Sequence, residues 1–258
     1  ALRDVTVLII GEDCATDPEL TGQANAIRDF VKQGGQVIAL HQAEIDSAWL
    51  PMGVSLSTKK TSIGFVRASS NPILKGFGDD DFKFWFPDNL VSSQDYMKPR
   101  LGNATPLVDA GLGNNDMEYA PLLEIPYGNG TYVLSQLQLL RNAGFNPVAD
   151  RLLEQMVAVL VERKAELKPT AVTTDDGAMA ATLRRLGHVS EKLLSEKAGQ
   201  YGQIIVDARE AVAVPLRQSL KVALESGASV LIHGVGPDDA AWLSALLGQK
   251  IGVELPVL

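Results

Sequence analysis

The chain has 258 residues, 46% hydrophobic and 21% charged, with 23 Lys and Arg against 31 Asp and Glu for a formal net charge of −8. That length suffices for one large α/β domain or two modest ones, and an acidic balance without clustered Lys and Arg speaks against nucleic acid and against an anionic membrane. No apolar run approaches the roughly 18 residues of a membrane span, and the single cysteine, Cys14, excludes an internal disulfide and a CxxC metal site.

The first residues, Ala1-Leu2-Arg3-Asp4-Val5, lack the layout of a secretory signal peptide and read as if the chain begins inside a domain. The compartment stays open between cytoplasm, periplasm and exterior, because one unpaired thiol suits all three. Val5 to Ile10 is a continuous β-branched run, as for a strand covered on both faces. Asp17-Pro18 then reads as an N-cap with proline at the first helical position. Leu20, Ala24, Ile27, Phe30 and Val31 follow at helical spacing, Gly34-Gly35 stops the helix, and Gln36 to Leu40 is the next buried strand. Strand, crossover helix and strand make a right-handed βαβ unit.

From Pro51 to Leu140 the pattern changes to short strands at Val54–Ser57, Ser62–Ala68, Thr105–Asp109, Leu122–Ile125 and Thr131–Gln136, separated by loops rich in Asn, Asp, Gly and Pro. Gly128-Asn129-Gly130 between two apolar runs is a hairpin signal, since these residues accept positive φ. Asn146-Pro147 opens a helix expected to run to about Lys164 and to close a first domain over residues 1–165. Glu166-Leu167-Lys168-Pro169 reads as a linker to a second α/β unit over 166–258. Its strands fall at Thr170–Thr173, His188–Leu193, Gln203–Val206 and Ser229–Ile232. Its helices follow Asp175-Asp176-Gly177 (stopping at Gly187), Pro215 and Asp238. The stretches GGQVIALH at 34–41 and SGASVLIHG at 226–234 echo one another as helix stop, buried strand and terminal His. The late unit is read either as completing the early sheet or as a partial repeat.

These residues carry a resemblance. VLIIG, the amphipathic helix and GGQVIAL resemble the middle of a class I glutamine-amidotransferase-like domain. The turn Ser70-Asn71-Pro72-Ile73-Leu74-Lys75-Gly76-Phe77 is similar to the His-Pro-x-Leu-x-Gly-Leu turn of amidotransferase-like accessory modules in bacterial family-two (β-galactosidase-type) glycoside hydrolases, with Asn71 where His is usual. Segments 81–85, 119–124 and 126–137 look like further parts of those modules, so the likeness spans about residues 5–160. It implies an α/β fold with a mostly parallel sheet and helices on both faces, amidotransferase-like or flavodoxin-like. It also implies that the first strands of such a domain are missing upstream.

The same resemblance allows the chemistry to be tested position by position. An amidotransferase needs a thiolate on a tight strand-to-helix turn, flanked by small residues, and a His to activate it. Here the turn is Ala39-Leu40-His41-Gln42-Ala43, with His41 in the nucleophile's place, and the family's catalytic His maps onto Gln138. The resemblance therefore implies an inert elbow and no amidotransferase activity, with no catalytic residue assigned. His41 ends a buried strand, where open α/β sheets bind ligands. It is read either as a half-buried His bonded to a loop or as a ligand contact with Glu12, Gln42 and Gln138 nearby. No second His is placed to join it in a metal site, and neither metal nor cofactor is expected.

Phe82-Lys83-Phe84-Trp85-Phe86 is the densest aromatic cluster, read as a strand whose Phe residues enter a core, or as a sugar or partner contact through Trp85. Asp79-Asp80-Asp81 lacks the spaced oxygens of a calcium loop. Gly234-Val235-Gly236-Pro237 lacks a phosphate-loop pattern, and no Gly-x-Ser-x-Gly elbow is present. The expectation is a non-catalytic accessory region of a glycoside hydrolase, serving stability, oligomerisation or the framing of a carbohydrate cleft. Its partners would be the parent enzyme's other domains, a second copy, or carbohydrate. The alternative is a stand-alone sugar or small-molecule binding module.

Overall fold

The computed structural model describes residues 2, 4–111, 118–163, 168–174, 176–186, 188–209 and 214–254. Expectations resting on Lys164, Glu166-Leu167, Asp175 and Gly187 lie outside those residues. The chain divides into two compact units, Ala1–Ala165 and Glu166–Leu258.

The first unit begins with β1 (Val7–Ile10), α1 (Pro18–Gly22), α2 (Ala24–Lys32) and β2 (Gln36–Ala39). Asp17 caps α1 by accepting the Glu19 N–H at 2.7 Å, and the one expected helix is broken into two at Gln23. Short strands follow: β3 (Ser55–Leu56), β4 (Ile63–Val66), β5 (Tyr96–Met97), β6 (Thr105–Gly111), β7 (Tyr119–Ala120), β8 (Leu122–Tyr127) and β9 (Gly130–Ser135). The short α3 (Leu139–Asn142) leads to α4 (Pro147–Glu162), which Asn146 caps by accepting the Val148 N–H at 3.0 Å.

The six-stranded sheet has the order β1-β2-β9-β8-β6-β4. Only β1–β2 and β2–β9 are parallel, while β9–β8, β8–β6 and β6–β4 are antiparallel. A second sheet, β3-β5-β7, is antiparallel throughout. The expectation of a mostly parallel, flavodoxin-like sheet is therefore wrong for this unit: the sheet is mixed. The reason lies in the connections. A parallel pair needs a long crossover, whereas β8 and β9 are joined by a tight hairpin with Gly128 at φ +60, and such a turn permits only antiparallel pairing.

Both faces of the large sheet are covered. On one, Ile38, Val108, Leu122 and Val133 pack with Leu152, Met156 and Leu160 of α4. On the other, Val37, Ala39, Leu123 and Leu134 meet Ile27 and Val31 of α2, together with Trp49 and Tyr132. Side chains alternate between the two cores along β2, β8 and β9, as period-two geometry dictates. The Asn71-Pro72 turn is fixed onto α4. Gln155 Nε2 donates to the carbonyls of Pro72 (2.8 Å), Ile73 (3.0 Å) and Lys75 (3.1 Å). Asn71 donates to the Glu124 carboxylate, which also pairs with Arg163.

The second unit comprises β10 (Thr170–Val172), α5 (Ala178–Arg185), β11 (Glu191–Lys192), β12 (Gln203–Asp207), α6 (Val214–Glu225), β13 (Ser229–His233) and α7 (Ala240–Leu247). Its strands form a separate four-stranded sheet, β11-β10-β12-β13, in which every pairing is parallel. Tyr201, Ile204, Val206, Leu220 and Trp242 lie in its core.

Candidate functional site

Because β1, β2 and β9 run parallel, their carboxyl ends open on one edge, and three loops leave side by side. Asp13 follows β1, His41 and Gln42 follow β2, and Gln136 and Gln138 follow β9. This is the edge at which open α/β sheets host ligands.

Most of that edge is closed by amides. Gln42 is wholly buried. Its Oε1 accepts the Ala15 N–H at 2.7 Å, and its Nε2 donates to the Gly11 and Leu40 carbonyls, each at 2.7 Å. Gln136, also wholly buried, pairs with the Gln42 backbone in both directions: Oε1 accepts the Gln42 N–H and Nε2 donates to the Gln42 carbonyl, both at 2.9 Å. The Ala15 and Gln42 N–H groups and the Gly11, Leu40 and Gln42 carbonyls at this edge are thus bonded to side chains.

His41 is half-buried. Its Nε2 is hydrogen-bonded to Ser93 Oγ at 3.0 Å, and its Nδ1 lies 3.7 Å from Asp13 Oδ1. Asp13 is exposed, sits at φ +57, and uses the same Oδ1 to accept the Ala43 N–H at 2.7 Å. Asp, His and Ser in a row have the connectivity of a nucleophile relay. The 3.7 Å gap nevertheless exceeds a hydrogen bond, so the carboxylate does not fix the imidazole as a general base. Among the described residues Ser93 alone hydrogen-bonds the His41 ring, at Nε2, and the half-buried Nδ1 edge faces Asp13.

The other expected site residues scatter. Glu12 is exposed in the loop after β1, and its carbonyl accepts from Cys14 Sγ at 3.3 Å. Gln138 is buried at the start of α3, with Oε1 lacking a protein hydrogen-bond partner among the described residues. Trp85 is in the core: it is 3% exposed, stacks on Phe82 at 6.2 Å and donates Nε1–H to the Asp81 carbonyl at 2.8 Å. It presents no face to a sugar. The strand reading of 82–86 also fails, because Phe82 and Trp85 both enter the core while Phe84 and Phe86 point outward. A φ of +51 at Phe84 rotates the chain between them.

Sequence reasoning missed Asp13, Ser93 and the role of Gln136. Asp13 adjoins the expected Glu12, and Gln136 lies in the segment mapped onto the catalytic strand, so both had a positional signal. Ser93 sits 52 residues from His41 in irregular chain and had none. Among the described residues, no group of three or more His, Cys, Asp or Glu is placed to hold a metal, and no helix is long and apolar enough to cross a membrane.

No family model matches the chain, and no curated protein matches it. Among solved structures it is similar to a cytoplasmic protein from Salmonella typhimurium, at 13% identity over 61% of this chain and 72% of that one, with a TM-score of 0.41. It is also similar to a β-galactosidase from Bacillus circulans sp. alkalophilus, at 16% identity over 64% of this chain, with a TM-score of 0.37. The match spans 24% of the β-galactosidase's length. Both likenesses are distant, and neither identifies an activity.

Proposed function

We propose that this chain is a non-catalytic accessory region of a bacterial glycoside hydrolase. It serves stability, assembly or the framing of a carbohydrate cleft, in contact with the enzyme's other domains or with a second copy. The observation that carries the reading is the filled elbow. By the resemblance, His41 stands where a class I amidotransferase carries its nucleophile, and Gln42 and Gln136 bond the neighbouring strand-end backbone groups. An elbow closed this way retains packing and loses chemistry.

The order of segments 70–77, 81–85, 119–124 and 126–137 supports the accessory context. The contacts of the first segment give it a structural purpose, since Asn71 and the 72–75 carbonyls tie β8 to α4. A stand-alone sugar module built on the strand edge is less well served, because Gln42, Gln138 and Trp85 are all buried.

The test is an assay of the purified chain with chromogenic β-galactosides and β-glucosides and with glutamine. No turnover is expected. Turnover that survives stringent purification and disappears in His41→Ala would overturn the non-catalytic reading.

A further inference from the structure

The aromatic segment contributes two rings to the core and sends two outward, and the outward pair is not alone. Phe84 is 55% exposed, Phe86 74% and Phe145 84%, and all three border one groove of about 420 Å³. Single exposed phenylalanines are ordinary. Three around a concavity are not, and the volume falls in the range of small-ligand sites, roughly 300–1,000 Å³.

Polar groups share the same lining. Asp80 and Lys83 pair at 2.6 Å on one side, while Asn142 forms a buried part of the floor, its Nδ2 donating to the Gln138 carbonyl at 3.0 Å. The groove is also built at some cost to the backbone, because Phe84 occupies the left-handed region at φ +51, which a bulky side chain rarely adopts. Strain of this kind collects at ligand clamps and persists where packing on both sides enforces it. Here the enforcing groups are Phe82 and Trp85 in the core and the Phe84 N–H bonded to the Ser62 carbonyl at 2.8 Å.

We infer that this groove binds a carbohydrate. A pyranose presents an apolar C–H face and an edge of hydroxyls that both donate and accept. Phenyl faces, with their negative quadrupole, complement the first, and the solvent-facing Asp80 and Lys83 complement the second. The alternatives fit less well. Asp80 and Asp81 outnumber Lys83 in the lining, which disfavours a phosphate or another anion. An amphipathic helix needs a longer apolar stripe than three rings around a small concavity provide. The groove is separate from the His41 edge and does not depend on the accessory role, so either reading can fail without the other.

The test is a titration of the full chain, with its phenylalanine rings isotopically labelled, against methyl β-D-galactopyranoside, lactose, cellobiose and xylobiose, read by aromatic NMR shifts and by saturation transfer to the sugar's ring protons. Saturable shifts are expected at Phe84, Phe86 and Phe145, with Phe86→Ala and Phe145→Ala each weakening association at least tenfold. Both side chains are largely in solvent, so thermal melting of these variants should match the parent chain. Absence of saturable binding with all four sugars would overturn the inference, as would binding that both variants leave intact. So would a concentration-dependent dimer that these substitutions dissolve, since the rings would then serve protein association. Catalytic assays are not involved, so a failure here leaves the proposed accessory role where it stood.

Discussion

Replacing Gln42 by Ala tests whether the strand edge is a structural plug. The substitution removes three hydrogen bonds of 2.7 Å inside the protein and strands the N–H of Ala15, a residue with no exposure. Three bonds at about 1 kcal/mol net each, with part of the penalty for an unsatisfied buried donor, give a loss of about 4 kcal/mol. At about 2–4 °C per kcal/mol for a chain of this size, the first unit's melting transition should fall by about 8–16 °C. Calorimetry, together with urea unfolding followed by tryptophan emission, measures it; Trp49 and Trp85 both report on this unit. Gln42→Glu sharpens the test. It turns the Nε2 donor into a carboxylate facing the Gly11 and Leu40 carbonyls, so the folded state raises the introduced group's pKa. An acid with a raised folded pKa destabilises above its unfolded value, near 4.3, and the penalty fades as pH falls through that window. The variant should therefore be more stable at pH 4 than at pH 7, relative to the parent chain. A loss below about 1 kcal/mol in Gln42→Ala, or no relative gain at low pH in Gln42→Glu, would refute the plug.

Arg163→Ala should cost the first unit about 3 kcal/mol by removing the counter-charge of the buried Glu124 carboxylate, which keeps only the Asn71 donor, and adding Glu124→Gln should recover part of it; a double-mutant cycle in urea checks this. Gly130→Ala drives a Cβ into the carbonyl oxygens of Gly35 and Val31, so its soluble yield and melting temperature should fall sharply, whereas Gly53→Ala, with open space around the added Cβ, gives a baseline for handling losses. In the second unit, the Asp239 carboxyl is held below its usual range by the Gly236 N–H and by Trp242 Nε1–H, and Asp207 by Arg209. A depressed folded pKa gives stability that is full above the unfolded value near 3.8 and is lost as pH falls below it. Asp239→Asn should flatten that acid-side loss in pH-dependent unfolding, and an unchanged slope would count against the assignment.

Hydrophobic pattern and turn chemistry made much of the local structure readable. The caps Asp17 and Asn146 and the hairpin glycines do locally what their chemistry prescribes, and Val7–Ile10 forms a strand, though at the sheet edge with Ile9 48% exposed rather than covered on both faces. Strand direction is different in kind. It depends on how consecutive strands are connected, and no periodicity encodes it. The 128–130 turn already required an antiparallel neighbour for β9, so extending the parallel pairing of β1 and β2 across the sheet overlooked a local constraint. The aromatic segment failed for a second reason. Strict alternation assumes β geometry at every residue, and one non-glycine residue at positive φ, Phe84, moved Trp85 inward and Phe86 outward. At the strand edge, His41 and Gln42 were visible by position. Burial separated their roles, because a glutamine facing two carbonyls and an N–H is tied to the backbone, while a half-buried histidine keeps an edge in solvent.

That contrast bears on where a ligand can act on this molecule. A functional side chain needs a polar group with unmet capacity near solvent, and the backbone around it must stay in place when a ligand binds. At the strand edge the second condition is met by using up the first: Gln42 and Gln136 hold the loops rigid and leave little to offer. Around Phe84 the balance is reversed. Phe82 and Trp85 anchor the segment from below, and the rings above them remain in solvent beside charged and amide groups. Substitutions at the edge should therefore register mainly in stability, and substitutions at Phe86 or Phe145 mainly in binding. A Phe145→Ala variant that melted well below the parent chain would break this division, because an 84% exposed ring has little burial to lose.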